Sequence, residues 1–170
     1  DQGTGLTDTG KALVTACDQM NILLDVSHLN EAGFWDIARL SHQPLLASHS
    51  NAHALCPSPR NLTDRQLDAV AESGGLVGVC FATAYLRSDG RKDPATDIEI
   101  VIRQLAYLVN RMGEDHVGLG SDFDGAVLPD NLADCSQLPV LIQALLTHGF
   151  GSQLVRKLCW DNWYQQIERL

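Results

Sequence analysis

Residues 22–49 read ILLDVSHLNEAGFWDIARLSHQPLLASH. The apolar run Ile22-Leu23-Leu24, extended by Asp25-Val26-Ser27, predicts a buried strand that stops at His28. Asn30 is placed to cap a helix through Phe34, Ile37 and Leu40. Pro44-Leu45-Leu46-Ala47-Ser48 then predicts a second strand, stopping at His49. Strand, helix and strand in close succession indicate a parallel α/β architecture, and a histidine stands at the C-terminal end of each strand.

The same alternation continues on both sides. Upstream, Thr7 or Asp8 opens a helix through Ala12, Leu13, Val14, Ala16 and Cys17 to about Met20. Downstream, Thr63-Asp64 starts a helix over Leu67, Val70 and Ala71, and Gly74-Gly75 punctuates before a strand from Leu76 to Phe81. A polar loop with Asp89-Gly90 and Pro94 leads to a helix from about Thr96 to Arg111, and then to the strand Val117-Gly118-Leu119-Gly120-Ser121, closed by Asp122. Leu138 to Leu146 and Gln153 to Arg169 read as two amphipathic helices. The expectation is four strands with intervening helices, three strands ending in a residue able to serve a metal site. In a (β/α)8 barrel the catalytic groups stand at the C-terminal strand ends, and four strands are half of such a barrel.

Composition restricts the function classes. The chain has 170 residues, 45% of them hydrophobic and 19% charged, as in globular domains. Twelve basic residues against twenty-one acidic ones give a formal charge of −9, which disfavours a nucleic-acid or anionic-membrane partner. No apolar run approaches membrane-spanning length. The five cysteines, at 17, 56, 80, 135 and 159, form no C-x-x-C pair, so neither a disulfide framework nor a thiolate zinc site is indicated, and buried thiols in a reducing cytoplasm are expected.

Three groups of residues carry candidate chemistry. His28 and His49, each in a polar context after an apolar run, could share a metal ion on adjacent parallel strands; their spacing is also open to ordinary core or surface histidines. Asp122 and Asp124, in Gly120-Ser121-Asp122-Phe123-Asp124-Gly125, offer carboxylates beside a strand end, with an Asx-turn as the competing reading. Asp122 is the choice for handling a metal-bound water. Arg60, on the Pro-stiffened Pro57-Ser58-Pro59-Arg60-Asn61 loop, presents a fork suited to a carboxylate or is a solvated surface charge. His42, His53, His116 and His148 lack matching context and are expected to be non-ligands.

Taken in order, several segments resemble the membrane (renal) dipeptidase family, the M19 metallopeptidases of the amidohydrolase superfamily. They are Gly5-Leu6-Thr7 with Gly10, Asp25-Val26-Ser27-His28, Pro44 to Asn51, Arg60-Asn61-Leu62-Thr63-Asp64, Gly74 to Val79, and Gly120 to Gly125. The resemblance implies a (β/α)8 barrel with two zinc ions at its C-terminal face, hydrolysing dipeptides that include a C-terminal D-residue. It implies that residues 1–170 are the C-terminal half, strands five to eight. His28 and His49 would be the histidine ligands of the second zinc, Asp122 the aspartate that shuttles the water's proton, Arg60 the arginine that holds the substrate's terminal carboxylate, and Tyr85 a tyrosine assisting that arginine. The family's His-x-Asp pair and bridging Glu precede these segments, and no His-x-Asp occurs in this chain. At most one partly liganded zinc is therefore expected here, with the N-terminal half of the barrel as the missing partner. The alternatives are a non-enzymatic or homodimerising half-barrel, or an amidohydrolase acting on another amide or a lactam. A soluble bacterial cytoplasmic protein is expected.

Overall fold

The computed structural model describes residues 3–169. Helix α1 (Asp8–Gln19) begins at Thr7, whose hydroxyl accepts the Gly10 amide at 3.1 Å. Helix α2 (Glu31–Leu40) is capped by Asn30, whose side-chain oxygen accepts the Gly33 amide at 2.8 Å, two residues beyond His28. Asn30→Ala is expected to cost about 1 kcal/mol in chemical denaturation, the usual loss for an amide or hydroxyl cap. An unchanged denaturation midpoint would show that the cap is idle.

Strands β1 (Leu46–Ala47), β2 (Leu76–Val79) and β3 (Val117–Leu119) form one parallel sheet in the order β1-β2-β3. Helix α3 (Asp64–Glu72) connects β1 to β2. The short α4 (Thr83–Leu86) and the longer α5 (Glu99–Met112) connect β2 to β3. Parallel strands need such crossovers, and β2 is buried at all four of its positions, as befits a central strand covered by helices. Leu67, Val70, Val77, Val79, Phe81, Val101, Leu105, Leu108 and Val117 are fully buried in the core between sheet and helices.

The sheet departs from the sequence expectation at its first strand. Residues 22–27 form no strand; they contribute one parallel bridge, Asp25 to Leu46, with the Val26 amide donating to the Leu46 carbonyl at 2.7 Å. Ile22 is 44% exposed, so this run lies at the open edge of the sheet, beyond β1. The polar loop after Phe81 also contains α4, which carries Tyr85. The expected last helix is three pieces, α7 (Gly151–Arg156), a π-helical segment Lys157–Asp161 and α8 (Asn162–Glu168), after α6 (Leu138–Thr147). The Asn162 side-chain amide donates to the Val117 carbonyl at 2.7 Å and the Trp163 indole to the Leu119 carbonyl at 2.9 Å, fastening this terminal unit to β3. Among the described residues, no helix is long and apolar enough to cross a membrane. The cysteines are all free; Cys56 and Cys80 are buried as expected, whereas Cys135 is exposed.

Candidate metal centre and substrate site

The candidate residues converge where β1, β2 and β3 end. Two of them sit in the left-handed backbone region that non-glycine residues rarely adopt: His28 at φ 69° and Asp122 at φ 65°. Such conformations cluster where a side chain must leave a strand end in a fixed direction. Asp124, at φ 62°, shares the feature.

The Nε2 atoms of His28 and His49 face each other at 2.8 Å, their ring planes inclined at 61°. Two imidazole lone pairs this close repel unless a proton or a cation lies between them. Arg60 brings Nη2 to 3.1 Å from the same His28 nitrogen. Loss of hydration, then the Arg60 guanidinium, then His49 push the His28 pKa below its ordinary value, which keeps its ring neutral and available as a ligand near neutral pH. Behind His49 lies a set of bonds among Asp25, Ser27 and Ser48, residues whose local sequence announces no such role. Asp25 Oδ1 accepts the amides of Ser27 and Ser48, both at 2.9 Å, and its Oδ2 accepts the Ser48 hydroxyl. The Ser48 Oγ lies 2.7 Å from His49 Nδ1, and the His49 amide donates to the Ser27 hydroxyl at 3.1 Å. Desolvation acts to raise the Asp25 pKa, yet the bonds from Ser48 and Ser27 outweigh it and hold the carboxyl below its ordinary value.

On the other side of His28, a cavity of about 150 Å³ is lined by Tyr85, Lys92, Asp122 and Gly125. Asp122 Oδ2 lies 3.7 Å from the Cys80 Sγ, a thiol that burial pushes up to about 12 and that therefore serves as a neutral donor. Cys80 had drawn no functional reading, because its partner is 42 residues away and no motif marks the pair. A second cavity, about 340 Å³, is lined by His28, Ser50, His53, Pro59 and Arg60. The Arg60 guanidinium stacks over the Tyr85 ring at 5.2 Å from its centroid. Tyr85 is itself held from behind: the buried amides of Asn51 and Asn61 donate to its carbonyl at 3.2 and 2.9 Å, and Asn51 also pairs with the Cys80 backbone. A buried Gln104 accepts the Ala52 amide at 2.9 Å, fixing the turn that follows His49. His116 and His148 bond Gly75 and Glu99 away from this centre.

Among the described residues, no three His, Cys, Asp or Glu side chains are gathered as a metal-binding group. The paired imidazoles nevertheless suit zinc in donor type, and amount to part of the three or four protein ligands that such an ion takes.

A family model described as membrane dipeptidase (peptidase family M19) matches residues 1–169. The chain belongs to this family. Among curated relatives, an uncharacterised protein encoded 5′ of pqqA in Klebsiella pneumoniae is 51% identical over the whole of this chain, which spans 63% of that protein. The dipeptidase tcpJ of Claviceps purpurea is 33% identical over 93% of the chain, which spans 37% of the fungal enzyme. Two solved structures superpose with a TM-score of 0.97 at 56% identity over 99% of the chain: dipeptidase AC, an M19 metallopeptidase, and a metallopeptidase from Rhodobacter sphaeroides bound to a phosphinate mimic of L-Ala-D-Ala. The chain spans 50% and 48% of those two structures. Membership makes the protein one of a family of metallopeptidases, and the α/β layer seen here is their common fold.

Proposed function

We propose that the chain is the strand-five-to-eight half of a (β/α)8 barrel that hydrolyses dipeptides, including those with a C-terminal D-residue, with zinc. The observation that carries the reading is the convergence of two imidazoles, an arginine and an aspartate on one side of the parallel sheet. The binding of a dipeptide mimic by the Rhodobacter sphaeroides relative supports the substrate class.

In this reading His28 and His49 hold one zinc from its side of the barrel, and the N-terminal half supplies the remaining ligands. Zinc, when bound, supplies Lewis-acid polarisation of the peptide carbonyl and a lowered pKa for water. Arg60 receives the substrate's terminal carboxylate in a two-pronged contact, and Tyr85 supports the face of the guanidinium, so the scissile carbonyl is set before His28. Asp122 takes the attacking water's proton and delivers it to the leaving amine. The Cys80 thiol, bonded to one oxygen of Asp122, leaves the other oxygen for that transfer. The fit of substrate thus depends on charge at one end and proton handling at the other.

The test is zinc content and dipeptide turnover, measured on the chain alone and on the chain joined to its complementary half. Two zinc ions and turnover by the isolated chain would sink the half-barrel reading, and no turnover by the joined protein would sink the dipeptidase reading. Arg60→Ala is expected to weaken kcat/KM for free dipeptides by roughly 10²-fold, as loss of a charged clamp does, while hardly altering an amidated dipeptide. Equal losses on both would remove Arg60 from carboxylate binding and favour another amide or a lactam as substrate. A catalytically incomplete module, alone or as a homodimer, is the second reading, favoured by a site with only two convergent metal donors among the described residues.

A further inference from the structure

We infer that Asp25 and Ser48 form a positioning relay that fixes the His49 tautomer, leaving its Nε2 lone pair free for a metal ion. The hydroxyl of Ser48 has a single proton. Asp25 is an acceptor on both oxygens: Oδ1 already takes two backbone amides, and Oδ2 takes the Ser48 proton. With its proton committed to Asp25, the Ser48 oxygen can only accept from His49 Nδ1, 2.7 Å away. Nδ1 therefore carries the ring proton and the neutral ring presents a lone pair at Nε2, the atom that faces His28 at 2.8 Å.

The relay is also braced against rotation. The His49 amide donates to Ser27, and the Ser27 amide donates to Asp25, so the two segments that carry the histidines are tied through one carboxylate. Asp25 also forms the parallel bridge to Leu46 in β1. A metal arriving at Nε2 finds the ring already oriented and deprotonated there, and no hydrogen bond behind the ring has to break. Second-layer partners of this kind commonly change metal affinity 10- to 100-fold when removed.

The inference rests on the metal reading above for its purpose, while the tautomer can be read without metal. In the metal-free 170-residue chain, long-range proton–nitrogen correlation spectra should show His49 protonated at Nδ1. Ser48→Ala should lose that single tautomer and bind zinc about 10- to 100-fold more weakly, and Ser48→Thr, which keeps a hydroxyl, should restore both. Asp25→Asn should behave like Ser48→Ala; if it fails to fold because Asp25 also holds two backbone amides, the alanine and threonine pair still decides. An Nε2-protonated His49 in the metal-free wild type, or a Ser48→Ala variant that binds zinc as the wild type does, overturns the relay. A wild type that shows the Nδ1 tautomer but takes up no zinc overturns its purpose together with the metal reading.

Discussion

Asp122→Asn, made in the complete barrel, should lower kcat by about 10²- to 10⁴-fold with little change in KM, the range expected for removing a positioned proton acceptor. The variant is informative because little else changes. Asparagine is close in shape to aspartate and tolerates the left-handed backbone at φ 65° better than most residues, so the turn out of β3 is retained. The Cys80 thiol, at 3.7 Å, can still donate to the amide oxygen. The lost property is the capacity to take up a proton and return it. Steady-state kinetics with a dipeptide, beside a zinc assay of the same preparation, separate proton transfer from metal loss. A variant within about tenfold of wild type would deny Asp122 the proton-transfer role.

Gly120→Ala should destabilise the fold by about 3 kcal/mol or more, at or beyond the upper end of ordinary overpacking. A Cβ at Gly120 would overlap the Ser48 carbonyl oxygen and come within 2.8 Å of the Gly78 carbonyl carbon and oxygen. These obstacles are backbone atoms of the strand ends, with no rotamer by which to give way. Gly90 makes the contrast: a Cβ there meets nothing within 4 Å, so alanine at that site pays only for the left-handed backbone, about 1–2 kcal/mol. Urea unfolding of the two variants should differ clearly in midpoint. Because the Ser48 carbonyl adjoins His49, any Gly120→Ala protein that does fold should also bind zinc less well. Equal midpoints would show that β3 can move away from β1 without cost.

Much of this was legible because the fold rests on local alternation. His28 and His49 are candidates from their place after apolar runs, Asp122 and Arg60 from residue chemistry beside strand or loop punctuation, and the structure brings His28, His49 and Arg60 within hydrogen-bonding distance of one another. Where the reading failed, the deciding interaction was distant. The run Ile22-Leu23-Leu24 has strand composition, but its segment pairs with β1 through a single bridge, Asp25 to Leu46, too little to make a strand. Asn51 and Cys80 are 29 residues apart, and nothing in either local sequence announces that their side chain and backbone will pair. The π-helical segment Lys157–Asp161 carries no breaker residue; it is fitted to β3 through Asn162 and Trp163. Tyr85 was indicated by resemblance, whereas the short helix that presents it depends on amides from Asn51 and Asn61.

The left-handed turns at His28 and Asp122 also bear on how such a centre can change over evolutionary time. At these φ values β-branched residues are strongly disfavoured, while Asn, Asp, His and Gly are admitted. Three of those four carry a donor atom suited to a metal, a proton or a water. The backbone thus acts as a filter on mutation, restricting these two positions to a short alphabet in which most single substitutions exchange one polar chemistry for another. Turns of this kind let the polar chemistry at the two positions change without the backbone first having to be rebuilt.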